Sequence, residues 1–148
     1  MNVACPQRDM HRFMAGILFL CVANSARSQL AEAIARHLAP HLDIWSAGSE
    51  PSHVRPQVRH VLEENAIDPR GLRSKSVLEV PMDEINIVIT LCRDAQCPIV
   101  PGNQNRLSWP LPDPAAAPQE EIVEAFRATR DELIRRLPPL LAEFPAQD

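Results

Sequence analysis

The run Ile17–Cys21 (ILFLC) is short, continuous and apolar, the pattern of a strand buried on both faces of a parallel sheet. From Ser28 the period changes: Leu30, Ala31, Ile34, Ala35 and Leu38 recur at helical spacing until Pro40 ends the pattern. Asp43–Ala47 (DIWSA) reads as a second strand closed by Gly48, and Val54–Asn65 as a second helix with Val58, Val61 and Leu62 inward. A third strand, Asn86–Leu91, leads directly to Cys92, and a short fourth lies around Leu107–Trp109. The last helix runs from about Gln119 to Leu137 with Ile122, Phe126, Leu133 and Leu137 on one stripe; Pro138 and Pro139 are expected to stop or kink it. Strands alternating with helices predict an α/β fold of three layers, a four-stranded parallel sheet with helices on both faces. Residues 1–15 read as a flexible N-terminal tail and 16–148 as a single catalytic domain, a size at which one core is feasible.

Charge narrows the partners. A formal net charge of -4 and a pI near 5.7 argue against nucleic acid or an anionic membrane surface, both of which attract basic proteins. The apolar run Ala15–Ala23 is far short of the roughly 20 residues that span a bilayer, and the N-terminal segment lacks the apolar stretch of an export signal. A cytoplasmic location is expected. In such a reducing compartment the thiols of Cys5, Cys21, Cys92 and Cys97 point to catalysis or metal binding before structural bridges. Four residues separate Cys92 from Cys97 and no histidine is near, a spacing unsuited to zinc, so no metal is expected.

Chemistry concentrates in Cys21-Val22-Ala23-Asn24-Ser25-Ala26-Arg27-Ser28, a C-x5-R-S loop between a buried strand and a helix. Backbone amides of residues 22–27 can converge there on one tetrahedral oxyanion, with the helix N-terminus adding positive potential. Arg27 supplies a planar fork of donors for two oxyanion oxygens. The same field favours the thiolate of Cys21, the stronger nucleophile, and Ser28 is placed to donate to it.

The chain here resembles the superfamily of low-molecular-weight protein tyrosine phosphatases and thioredoxin-coupled arsenate reductases. The resemblance covers Ile17 to about Leu137 and rests on CVANSARSQLAE from residue 21, SAG from 46, ID from 67, SK from 74, TLC from 90, CP from 97 and WPLPDP from 109. It implies that Asp113 is the general acid. Three features favour the reductase branch: Gln29 follows the loop where the phosphatases have proline, Ala115–Ala117 follow Asp113-Pro114 where they carry tyrosines, and Cys92 and Cys97 match a redox pair. The chain has no tyrosine at all.

The resemblance therefore implies reduction of arsenate to arsenite through a Cys21 adduct and a Cys21/Cys92/Cys97 disulfide relay. It implies no bound cofactor and an external thiol reductant, either thioredoxin or glutaredoxin with glutathione. The alternative is a phosphatase hydrolysing phosphomonoesters through a Cys21 phosphocysteine. Ala23 stands where relatives usually have glycine, Ala26 where many have a second loop cysteine, and Cys5 has no counterpart. Some relatives hold a potassium ion behind the loop with residues matching Asn24, Glu32 and Ser46 and an acidic residue aligned with Lys75; a lysine there is expected to supply the positive charge itself.

Overall fold

A computed structural model describes residues 15–93, 100–102 and 104–146. Its elements are β1 (Gly16–Cys21), α1 (Arg27–Leu38), β2 (Asp43–Gly48), α2 (Pro56–Glu64), β3 (Ile87–Thr90), β4 (Asn105–Ser108) and α3 (Ile122–Leu141). The four strands form one parallel sheet in the order β2-β1-β3-β4. Both central strands are apolar because each must bury two faces. Ile17 and Phe19 face one layer with Ile87 and Ile89, while Leu18 and Leu20 face the other with Val88.

The first layer holds all three α-helices. Leu30 and Ile34 of α1, Val58, Val61 and Leu62 of α2, and Phe126, Leu133 and Leu137 of α3 close over Phe19 without exposed area. The opposite face has a shorter helical cover, two 3-10 turns at Val77–Glu79 and Met82–Glu84 with Val80, Ile85 and Val100 packed beneath. That thin layer suffices because only the alternate residues of β1 and β3 and the end of β2 need covering there.

Pro138 and Pro139 do not end α3, which continues to Leu141. Two prolines forfeit the helix bonds to the carbonyls of Ile134 and Arg135, a loss that predicted a break. Beyond them, however, Leu140 and Leu141 join Leu137 in the core. Burying such side chains contributes roughly 1.5–3 kcal/mol each, enough to hold the last turn helical.

Chain order fixes the site. β1 is followed in space by β2 on one side and β3 on the other, so the connections diverge at the carboxyl end of β1, where parallel sheets leave a crevice for ligands. Cys21 is the last residue of β1 and pairs in register with Gly48, the last of β2. A Cβ on Gly48 would collide with the Val22 carbonyl oxygen and stand 2.9 Å from Asn24 N and Cys21 O. Only glycine lets β2 end against the loop.

Away from the crevice, Glu64 clips α2 to α3: its carboxylate accepts from Arg127 Nη2 at 2.7 Å and from Arg130 Nη1 at 2.6 Å, and Arg130 also reaches Val61 O at 3.0 Å. The hydrogen bonds from Arg127 and then Arg130 pull the Glu64 carboxyl from its ordinary 4.5 down to about 2.

Two outcomes follow from these contacts. Replacing Gly48 by alanine is expected to cost about 1–3 kcal/mol in urea unfolding and to weaken phosphate binding, because the added carbon must displace the loop. A depressed carboxylate stabilises the fold above its unfolded value and loses that contribution as pH falls through its folded one. Thermal melts of Glu64→Gln should therefore lie below those of the unmodified protein at neutral pH, with the gap closing from pH 4.5 downward and gone near pH 2.

Candidate active site

Residues 22–26 connect β1 to α1, and their carbonyls are all occupied from outside the loop. Val22 O accepts from Glu50 N at 2.9 Å, Ala23 O from Ser52 N at 3.2 Å and Ser74 Oγ at 3.0 Å, and Ser25 O from Arg55 N at 2.9 Å. Asn24 O accepts from Gln29 Nε2 at 3.0 Å, and Ala26 O takes the first helical bond, from Leu30 N at 2.9 Å. None of these carbonyls is left free to meet a ligand at the crevice. No side chain caps the N-terminus of α1, whose leading amides are then suited to an anion.

The backbone turns at Asn24, which has φ of +48°, and not at Ala23. Alanine is therefore tolerated where relatives have glycine. Asparagine is among the residues that enter the left-handed region at low cost, and here its side chain is held on every polar atom. Asn24 Nδ2 donates to Ser28 Oγ at 2.8 Å and to Ser46 Oγ at 3.0 Å, while Oδ1 accepts from Lys75 N at 2.8 Å and Gln29 Nε2 at 2.9 Å.

Cys21 is a free thiol with 2% of its surface exposed, and its Sγ lies 2.8 Å from Ser28 Oγ. It forms the floor of a pocket of about 260 Å³ lined by Val22, Ala23, Ser25, Ala26, Arg27 and Asp113. The Asn24 side chain, by contrast, is turned inward and fully buried. Arg27 Nη1 bonds the carbonyls of Leu111 at 3.1 Å and Leu91 at 3.4 Å, which ties the pocket wall to the segments after β3 and β4. Asp113 is exposed; its carboxylate accepts from Ala115 N at 3.0 Å and starts the 3-10 turn Pro114–Ala116.

Cys92 follows Leu91, is buried and is disulfide-bonded. Cys97 and Cys5 lie outside the described residues. Cys21, Arg27 and Asp113 thus line one cavity, and Ser28 stands buried beside the Cys21 sulfur.

Three residues that the motifs contain, Gln29, Ser74 and Gly48, have no bracing role legible in the sequence, yet each contacts the loop. Gln29 is fully buried and donates to Asn24 O, Asn24 Oδ1 and, at 2.9 Å, Arg73 O. The available signal was polarity, since Ser28, Gln29 and Glu32 are the polar positions in the buried run Ser28 to Ala35.

Comparison with known proteins agrees with this geometry. Residues 16–148 match the family described as low molecular weight phosphotyrosine protein phosphatase. An arsenate reductase of Halalkalibacterium halodurans is 36% identical over 126 residues, which span 82% of this chain and 91% of that protein. The solved structure of an arsenate reductase in the phosphate binding state superposes with a TM-score of 0.77 at 31% identity, covering 89% of this chain and 100% of the other. A thioredoxin-dependent arsenate reductase of Corynebacterium glutamicum superposes with a TM-score of 0.63 at 27% identity, covering 90% and 72%. The pocket at the end of β1 and the match along nearly the whole sequence agree, and the chain belongs to the low molecular weight phosphotyrosine protein phosphatase family.

Proposed function

We propose that this chain is an arsenate reductase that turns arsenate into arsenite at Cys21. The observation that carries the reading is the free Cys21 thiol in the pocket that Val22, Ala23, Ser25, Ala26, Arg27 and Asp113 line, with a disulfide-bonded Cys92 next to Leu91, whose carbonyl Arg27 binds. The 36% identical arsenate reductase over most of the chain supports the same choice.

In this reading the loop amides of residues 22–27 and the Arg27 guanidinium hold the oxyanion, and Ser28 donates to the Cys21 thiolate. The thiolate attacks arsenic; an As–O bond breaks, and its oxygen leaves as water with a proton from Asp113. The Cys92 thiolate then attacks Cys21 Sγ. A sulfur–sulfur bond forms, the electron pair of the S–As bond passes to arsenic, and As(V) departs as As(III) in arsenite. Two thiols have been oxidised for the two electrons gained. Cys97 attacks Cys92 Sγ, freeing Cys21 and leaving a Cys92–Cys97 disulfide for an external dithiol to reduce.

Thioredoxin is the proposed reductant, supported by the thioredoxin-dependent structural neighbour; glutaredoxin with glutathione is the other thiol system to assay. Against the hydrolase reading stands the cleft of about 830 Å³ that adjoins the pocket. Ala116, Ala117, Ala125 and Ala128 line it beside Arg27 and Asp113, and among the described residues its lining has no aromatic side chain to stack a phenyl phosphate.

The deciding measurement is arsenate-dependent NADPH oxidation coupled through thioredoxin and its reductase. Cys21→Ser should lower the rate more than about a thousandfold and also remove hydrolysis of p-nitrophenyl phosphate, since both need the same nucleophile. Cys92→Ser should stop multiple turnover yet keep formation of the Cys21 adduct, seen by mass spectrometry, and any phosphatase activity. Normal arsenate turnover by Cys92→Ser with both reductants would refute the relay, whereas phosphate ester hydrolysis without any arsenate-dependent NADPH oxidation by the unmodified protein would leave a hydrolase.

A further inference from the structure

Behind the loop the Lys75 ammonium donates to Glu32 Oε1 at 3.2 Å and Arg73 O at 3.1 Å, so a cationic group already stands where the resemblance implies potassium. The backbone of the loop is touched by a different side chain, that of Gln29, which the proposed chemistry leaves without a role. Gln29 is the third residue of α1 and has no exposed surface. Its side chain turns back along the helix, and Nε2 stands 3.0 Å from Asn24 O, 2.9 Å from Asn24 Oδ1 and 2.9 Å from Arg73 O. All three are acceptors: two are backbone carbonyls, and Asn24 Oδ1 already receives Lys75 N at 2.8 Å. The Gln29 amide therefore fits only one way round. Its two hydrogens serve these three oxygens, while its Oε1 is buried with no hydrogen-bond partner among the described residues. A buried acceptor without a donor lowers stability, so the side chain is held in this pose by its donor end alone.

The carbonyl of Asn24 is the exception among those of the loop. Val22 O, Ala23 O, Ser25 O and Ala26 O each accept from a backbone N–H, those of Glu50, Ser52, Arg55 and Leu30 in turn. Among the described residues, Asn24 O accepts only from the Gln29 side chain. It belongs to the residue at which the chain turns left-handed, with φ of +48°, a conformation that persists where surrounding contacts dictate it. One side chain thus holds the one carbonyl of the loop that no backbone donor holds.

We propose that Gln29 is a positioning residue that sets the affinity of the pocket for its oxyanion by holding the Asn24–Ser25 peptide. The assignment rests on the reading that the loop amides bind the oxyanion. A peptide unit is planar, so a carbonyl and the N–H that follows it turn together. Without the Gln29 donor the Asn24 carbonyl is left buried and unsatisfied, and rotation of its peptide toward the crevice lets it reach solvent. The same rotation withdraws the Ser25 N–H and brings a carbonyl oxygen within reach of the anion, which exchanges a donor for a repelling dipole. The loss falls on binding more than on the chemical step, because substrate and transition state are anions held by the same amides.

The test uses Gln29→Met, which keeps the length of the side chain and removes the donor together with the unpartnered acceptor. Calorimetric titration with inorganic phosphate should show Kd raised about tenfold, near the lower end of what a hydrogen bond to a charged group contributes. Arsenate KM should rise by about the same factor with kcat changed less than about twofold, the pattern of lost uniform binding. Alkylation of Cys21 separates positioning from a general loosening. The ratio of the iodoacetate rate to the iodoacetamide rate should fall severalfold, because only the first reagent is an anion, whereas a loosened fold alters both rates alike. In Ser74→Ala the Ala23 carbonyl keeps Ser52 N, and the loss of phosphate affinity should be clearly smaller. In the unmodified protein the side-chain amide protons of Gln29, followed by heteronuclear NMR, should exchange with solvent far more slowly than those of an exposed glutamine. Unchanged phosphate affinity or an unchanged alkylation ratio in Gln29→Met, an equal loss in Ser74→Ala, or fast exchange of those protons would overturn the assignment. The NMR measurement decides even if the variant does not fold. Failure of the oxyanion reading looks different: the unmodified protein would then bind neither phosphate nor arsenate.

Discussion

The site depends on one constraint: the carbonyls of residues 22–26 are all claimed by donors behind or beside the loop. A peptide turn has as many acceptors as donors, and left alone it would present both to a ligand. Here Glu50, Ser52 and Arg55 offer backbone amides, Gln29 and Ser74 offer side chains, and α1 takes the last carbonyl. No loop carbonyl is left free for the crevice, and Arg27 brings a positive charge to its wall although the chain is acidic as a whole.

Such a surface requires a polar interior behind it. Eight successive residues of α1, Ser28 to Ala35, are buried, and three of them are polar. A buried group without a partner costs about 1–3 kcal/mol, so Ser28 and Glu32 are tolerable only within a connected network. Asn24 is its centre, joining the left-handed turn, the end of β2 and the segment at Lys75 through four bonds on one side chain. The network and the loop are therefore one structure: Asn24, Ser28, Glu32 and Ser46 find their partners in the fold that the loop's geometry demands.

Much of this was legible in sequence. A continuous apolar strand ending in cysteine, followed by a helical period opening at Arg27, located the pocket, and Asp113 reached it from after β4 as the resemblance implied. Less legible was whatever depends on contacts distant in sequence. Pro138 and Pro139 read as a helix end because local propensity cannot see that Leu140 and Leu141 have a core to enter. Gln29 read only as a departure from proline, although its amide braces Asn24. The cover of the second sheet face came as 3-10 turns, whose three residues are too few to show a period. Lys75 was placed by resemblance, whereas its reach to Glu32 is a matter of the fold.

The span of these contacts has a consequence for the chain before it is finished. Lys75 lies 51 residues from Asn24, and Leu111 lies 84 from Arg27. Closing loops of that length carries an entropic cost that is recovered only when distant strands pair. No fragment that ends before β3 holds the Cys21 environment together. During synthesis the surroundings of Cys21 are therefore assembled last, when the segments after β3 and β4 reach Arg27.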